Sequence, residues 1–258
     1  AQTKEIMDNK AQAGLVLTAE YSDLWKEDKK TETNEVMFAL QHSAKHKIAS
    51  NYGKSYYPSD YSPNAGWADY YGNEDFFKAY PNDDRKEWNY MTEWKIKSGE
   101  IIPYTESADK LPAISKYYDY DEGAPGKSAQ SNGITCIYRY AEVLLMYAEA
   151  STRATNSVNQ DALNAIQEVQ KRAGYQDRQI ELTTTTEPTA FLAAVSNERG
   201  WEFFAEMKRW FELVRLEKVK EVRAEEWDAS TFNTNHHYYF PVPYQQVDLA
   251  GWTNNAGY

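Results

Sequence analysis

The chain has 258 residues, enough for one large domain or two small ones, and at 41% hydrophobic and 26% charged it has a globular rather than a disordered composition. Its net charge of -11 argues against nucleic acid and against an anionic membrane surface as partners. A single cysteine, Cys136, excludes a disulfide framework, and no apolar run approaches the length of a membrane span.

Ala1–Lys10 reads as a helix broken by Gly14. It begins without an upstream cap, which leads us to expect a fragment from which an N-terminal part has been removed. Tyr21–Trp25 follows as a short turn or half-helix. Glu35–Gln41 alternates, with Val36, Phe38 and Leu40 on one side, and is the clearest strand signal. Asn51–Gly72 then carries six tyrosines and Trp67, while Gly53, Pro58, Pro63, Asn64 and Gly66 forbid a regular helix. On the residues alone this is either a loop offering aromatic faces to a ligand or a loop pinned to the body by its own tyrosines.

Glu74–Tyr80 suggests a helical turn, Pro81–Arg85 a turn, and Glu87–Ser98 either a strand or a helix, with strand favoured. Ile101–Gly133 is irregular. Its acidic cluster, Asp119, Asp121 and Glu122, lacks the glycine-turned spacing of a calcium loop and reads as solvated. Ile137–Ala154 has helical spacing through Tyr140, Ala141, Leu144, Leu145 and Ala148, with Cys136 at its entry as a small buried hydrophobe. A second helix spans Asp161–Ala173 and stops at Gly174. Together these two make one tetratricopeptide-type hairpin, a unit that needs neighbours to bury its faces. Pro188 opens a further helix, with Thr186 as its cap, expected to run to about Leu216. After Arg223 the chain turns irregular, Tyr238–Tyr244 is extended by its prolines, and Gln245–Tyr258 is a polar and aromatic tail.

Within that last helix, Asn197–Arg215 concentrates both aromatic rings and charge. Glu198, Glu202 and Glu206, four apart, form one acidic stripe on a helix, and Arg199 and Arg209 stand three residues from Glu202 and Glu206. The aromatics on the other faces demand cover, and covered charges need partners. The favoured reading is a structural ion network of Glu198, Arg199, Glu202, Glu206 and Arg209, locking the helix against Ile137–Ala173. A carboxylate site for acid–base chemistry or metal is the sharper alternative.

The chain has no phosphate-cradling glycine loop, nucleophile elbow or zinc-helix motif, and His42 and His46 lack a glutamate between them. No catalytic residue, metal or cofactor is expected. Tyrosine and tryptophan faces with short polar groups suit sugars.

Three segments in order resemble the C-terminal part of the SusD/RagB family: RYAEVLLMYAEA at Arg139–Ala150, the Asn197–Arg215 stretch, and FPVPYQQVDLAGWTNNAGY at Phe240–Tyr258. Tyr21–Gln41 fits as well, while Gly200 departs from the large residue usual there. The resemblance implies a mainly α fold, with a tetratricopeptide-like hairpin, long C-terminal helices, long irregular loops and a few short strands, in a protein usually twice this length. It implies a single C-terminal domain over 1–258, with a helix and short strand in 1–50, a loop-rich ligand face in 51–133 and a helical core in 134–258. It further implies a lipid-anchored protein on the outer face of the outer membrane, its anchor absent from this chain, that captures oligosaccharides or polysaccharides for a SusC-like TonB-dependent transporter. A peptide-binding branch is the alternative, and a glycoside hydrolase a more distant one. By position in the family and by chemistry, Tyr56, Tyr57, Tyr61, Trp67 and Tyr70 are the expected ligand-binding residues.

Overall fold

The computed structural model describes residues 1–62, 64–117, 132–174, 182–222 and 238–258. It divides into two compact units, Ala1–Glu206 and Met207–Tyr258, each taken by itself below. The acidic cluster Asp119, Asp121 and Glu122 and the pair His236 and His237 lie outside the described residues.

The first unit opens with two short helices, α1 (Gln2–Asp8) and α2 (Lys10–Ala13), stopped by Gly14 in the left-handed conformation. A single 3-10 turn follows at Tyr21–Leu24. Strand β1 (Val36–Gln41) comes next. Its expected alternation fails: register shifts between Val36 and Phe38 and between Phe38 and Ala39 leave Phe38 and Leu40 exposed and turn Val36 and Ala39 inward. The tyrosine-rich segment contains a short helix after all, α3 (Tyr52–Tyr56). Helices α4 (Glu74–Ala79) and α5 (Asp84–Asn89) follow, capped by Asn73 and Asp83. The expected strand at Glu87–Ser98 is split. Its start is the end of α5, and the rest forms β2 (Tyr90–Met91) and β3 (Glu93–Lys95), which pair with β5 (Ala113–Ile114) and β4 (Ile101–Pro103) respectively.

Strand β6 (Ile134–Arg139) pairs antiparallel with β1. The predicted helix therefore starts later than its periodicity suggests: β-branched Ile134, Thr135 and Ile137 take the strand, Cys136 is buried within it, and helix α6 runs Tyr140–Thr155. Helix α7 (Gln160–Ala173) is capped by Asn159. Helix α8 (Pro188–Glu202) has proline in its first turn and Glu187 rather than Thr186 as its cap, accepting from the Thr189 and Ala190 amides at 3.0 and 2.6 Å.

Helices α6, α7 and α8 bury Leu144, Leu145, Ala148, Ala165, Ile166, Val169, Phe191 and Val195 in one apolar cluster, against which Ile6 and Met7 of α1 also pack. A second cluster gathers Tyr21, Leu24, Trp25, Tyr56, Ile114, Tyr117, Ile134 and Cys136. Arg139 joins them, its guanidinium 4.6 Å from the Phe203 ring centroid and 6.0 Å from that of Trp25.

The long helix expected from Pro188 to Leu216 is two helices. Helix α8 ends at Glu202, and the chain turns through Ala205 and Met207 at positive φ (58° and 61°). In the second unit, helix α9 (Arg209–Arg215) is followed by α10 (Val219–Val222) and α11 (Tyr244–Ala250). The C-terminal tail is thus partly helical. It closes on itself: the Val242 amide donates to the Asn254 side chain at 2.8 Å and Tyr258 donates to the Tyr239 carbonyl at 2.9 Å.

Candidate functional site

The segment around α3 builds a braced aromatic surface. Helix α3 lays Tyr56 on Tyr117, ring centroids 5.7 Å apart and planes 9° from parallel. The chain then doubles back on the helix. A Cβ on Gly66 would lie 1.8 Å from the Tyr57 carbonyl oxygen, so only glycine allows this approach. The return is tied by backbone hydrogen bonds: Gly66 to Pro58 at 2.8 Å, Trp67 to Lys54 at 2.6 Å, Ala68 to Tyr57 at 3.1 Å and Asp69 to Ser55 at 2.9 Å, each amide donating to a carbonyl.

The five expected ligand residues separate within this frame. Trp67 and Tyr70 are 50% and 61% exposed. Tyr56 is nearly covered but touches Tyr70, with ring centroids 5.7 Å apart, and burial pushes its phenol up to about 12. Tyr57 is fully buried, edge-on to the half-buried Tyr61 at 5.0 Å, and so braces the loop in this conformation without presenting a face. Three neighbours, Lys54, Tyr71 and Asp109, are not among the expected ligand residues. The Lys54 ammonium sits 4.9 Å from the Trp67 ring centroid, and Tyr71 donates to Asp109 at 2.7 Å, a pairing across 38 residues that no local pattern signals. Burial and that hydrogen bond raise the Tyr71 phenol, which stays neutral at physiological pH.

The acidic stripe is interior and ionic, but its partners come from elsewhere. Glu202 accepts from Arg85 at 2.8 Å and also from Arg139 and Arg172. Glu206 takes Arg139 at 2.9 and 3.1 Å and Lys116 at 2.7 Å. Glu198 takes Arg85 at 2.5 Å, Asp83 holds the far side of Arg85, and Glu35 bridges Arg139 and Arg172 at 2.7 Å each. The expected pairings of Arg199 and Arg209 are not made. Arg199 stands 3.6 Å from Glu142, and Arg209 pairs with Glu212 at 3.1 Å in the second unit. The break after Glu202 explains the change. Beyond Glu202 the chain is no longer helical, and Glu206 there meets Arg139 and Lys116.

The same cations serve the helix end. Four carbonyls in the last turn of α8 and just beyond it are covered by side chains: Trp201 by the Tyr80 hydroxyl at 2.5 Å, Glu202 by Arg139 at 2.7 Å, Phe204 by Lys116 at 2.6 Å and Ala205 by the Tyr117 hydroxyl at 3.0 Å. A helix C-terminus leaves such carbonyls without intrahelical donors and favours positive charge, and the lattice supplies both. Burial alone would raise the Glu202 carboxyl, but Arg172, Arg139 and Arg85 outweigh it and hold it well below the usual carboxylate range. Glu206 is lowered in the same way by Arg139 and Lys116. For Glu198 burial wins over Arg85 and its carboxyl is raised. Burial also lowers the Lys116 ammonium to about 8, with Glu206 opposing and Arg139 adding to the shift.

Of the residues weighed for metal binding, His42 is engaged structurally, its Nε2 2.7 Å from the Thr135 hydroxyl. Among the described residues no group of three or more His, Cys, Asp or Glu side chains is placed to hold a metal ion, and no helix is long and apolar enough to cross a membrane.

Known proteins carry the same architecture. SusD-like protein P2 of Formosa agariphila is 25% identical over 98% of this chain, which covers 54% of that relative, so the chain spans about half its length. A SusD superfamily protein from Parabacteroides distasonis superposes with a TM-score of 0.78 at 22% identity, over 99% of this chain and 56% of that one. Surface glycan-binding protein A from Bacteroides thetaiotaomicron, solved in complex with laminarihexaose, gives 0.72 at 21% identity, over 98% and 58%. These likenesses establish the mainly helical fold. Residues 93–258 match the sequence model of the SusD family, and the chain belongs to that family.

Proposed function

We propose that this chain is part of a cell-surface protein that binds oligosaccharides or polysaccharides through the surface formed by Trp67, Tyr70 and the edge of Tyr56. The observation that carries the reading is the pair of exposed rings, Trp67 and Tyr70, on a loop pinned by Gly66 and four backbone hydrogen bonds. Large flat rings left in water on a rigid frame cost no ordering when a sugar face stacks on them. Neighbouring Lys54, Asp69 and Asp109 provide polar groups for hydroxyls. Membership of the SusD family supports the reading, and so does the structural neighbour solved with laminarihexaose.

The proposal extends to delivery: the whole protein is held at the outer face of the outer membrane by a lipid anchor and passes its ligand to a SusC-like TonB-dependent transporter. Binding rather than catalysis is the role assigned to this chain, since the carboxylates of its ionic lattice are consumed by arginines and one lysine. Tryptophan fluorescence titration and affinity electrophoresis against neutral polysaccharides, with laminarihexaose among the soluble probes, test the sugar reading. Saturable binding that weakens at least tenfold in Trp67→Ala/Tyr70→Ala supports it. No response to any glycan, together with salt-sensitive binding of basic peptides, would replace it with the peptide-binding reading. Co-purification of the transporter with the full-length protein tests the delivery step.

A further inference from the structure

A cleft of about 580 Å³ lies between the start of α5, the 182–185 segment and the exposed side of α8, and among the described residues its lining includes none from the tyrosine-rich loop. That size falls within the roughly 300–1,000 Å³ usual for small-molecule sites. Its floor is the end of the ionic lattice. Asp83, Arg85 and Glu198 are each 1% exposed, and the Arg85 guanidinium is committed to Asp83, Glu198 and Glu202. Two carboxylates against one guanidinium, itself shared with Glu202, leave the floor with an excess of negative charge, so an anionic ligand meets repulsion.

The walls are fixed. The Gln170 side chain clasps Thr183 twice, accepting from its amide at 2.9 Å and donating to its hydroxyl at 2.9 Å, while Gln167 donates to its carbonyl at 2.8 Å. Trp201 lines one side, anchored through its carbonyl by the Tyr80 hydroxyl at 2.5 Å, and its partly exposed ring lies one helical turn beyond Asn197 and three residues beyond Glu198. Among the described residues, the side chains of Asn82, Thr184 and Asn197 in this cleft have no hydrogen-bond partner in the protein. The cleft therefore combines one aromatic face, neutral amides and a hydroxyl with free bonding capacity, and a floor that rejects anions.

We propose that this cleft is a second binding site, for an uncharged saccharide unit, with Trp201 stacking on the sugar ring and Asn82, Thr184 and Asn197 bonding to its hydroxyls. The choice of a saccharide among neutral polyols rests on the glycan-binding reading above. The site itself rests on the cleft.

Calorimetric titration of the whole chain with laminarihexaose, maltohexaose, xylohexaose, mannohexaose and a galacturonate hexamer tests it. Three proteins are compared: wild type, Asn82→Ala/Asn197→Ala with Trp201→Leu, and Trp67→Ala/Tyr70→Ala. Asn82 and Asn197 are exposed, and if the Trp201 change lowers the melting temperature, the double asparagine variant alone carries the test. The expected result is a neutral hexamer whose affinity falls at least tenfold in the cleft variant, with the galacturonate hexamer at least tenfold weaker. Loss confined to the cleft variant upholds the cleft and removes the tyrosine-loop site. Loss confined to the Trp67/Tyr70 variant, with the cleft variant within twofold of wild type, overturns the cleft and leaves the proposed function standing. Binding of no probe overturns both.

Discussion

Replacing Glu202 with glutamine isolates the charge at the centre of the lattice while keeping its shape. Glu202 is completely buried and touches Arg85, Arg139 and Arg172. Each arginine keeps another acidic partner after the change: Arg85 has Asp83 and Glu198, Arg139 has Glu35 and Glu206, and Arg172 has Glu35. No cation is left wholly unpaired, so the cost falls at the lower end of the ~3–5 kcal/mol typical of breaking a buried ion pair. For a chain of this size about 3 kcal/mol corresponds to a fall in Tm of roughly 6–12 °C. The pH dependence gives a second handle. The folded carboxyl lies below its ordinary value of 4.5, so the native state binds fewer protons than the unfolded chain as the solution is acidified. Its contribution is complete above about 4.5 and is lost as pH falls through the folded value. The gap in Tm between wild type and Glu202→Gln should therefore be widest near neutral pH and narrow below about pH 4.5. Thermal melts followed by circular dichroism at pH 7, 5, 4 and 3 check both points, alongside glycan affinity at pH 7. A Tm unchanged within 2 °C, or lost binding with normal melting, would refute the structural reading and restore a functional one for Glu202.

Other expectations follow from the same geometry. Gly66→Ala should unpin the tyrosine-rich loop, because its new methyl collides with the Tyr57 carbonyl; a cost of about 1–3 kcal/mol, typical of overpacking, and at least tenfold weaker glycan binding are expected in denaturation and titration. Lys116 releases its proton at about 8 in the folded state against 10.5 ordinarily, so between those values the unfolded chain binds more protons and this group makes stability rise with pH. Lys116→Met should remove that rise, read as the difference in urea midpoints between pH 8 and pH 10, and an identical slope in both proteins would contradict it. Leu144→Ala, at a fully buried position between the helices of the hairpin, should cost about 2–5 kcal/mol in urea denaturation without altering ligand affinity.

What could be read in the sequence was local. The helical hairpin was legible because Leu144, Leu145, Ile166 and Val169 recur at helical spacing, and the burial of the Glu198–Glu206 stripe because its aromatic neighbours demanded cover. What could not be read was long-range. Arg85 and Arg139 lie 117 and 63 residues from Glu202, and no periodicity links them. The break after Glu202 was invisible because Ala205 and Met207 are not residues that announce positive φ. Its stability comes from Arg139, Lys116, Tyr80 and Tyr117 covering the released carbonyls, a tertiary effect that overrides helix propensity. The strand at Ile134–Arg139 was hidden for a related reason, since its apolar residues suit either period and pairing with β1 decides. Within the tyrosine-rich loop, composition marked the segment but could not sort its rings. Which tyrosine faces water depends on where Gly66 brings the chain back, and that contact leaves Trp67 and Tyr70 outside with Tyr57 within.

The molecule divides its labour: on the proposed reading exposed rings on the braced loop bind glycan, and the buried lattice holds the fold. Parallel calorimetry and melting of wild type, Trp67→Ala/Tyr70→Ala and Glu202→Gln test it most directly, using whichever neutral hexasaccharide binds the wild type. The expected result is at least tenfold weaker binding with Tm within 2 °C for the aromatic variant, and a Tm lower by roughly 6–12 °C with affinity within twofold for Glu202→Gln, measured below its transition. The reverse pattern, intact binding without the rings or lost binding in a normally melting Glu202→Gln, would contradict it.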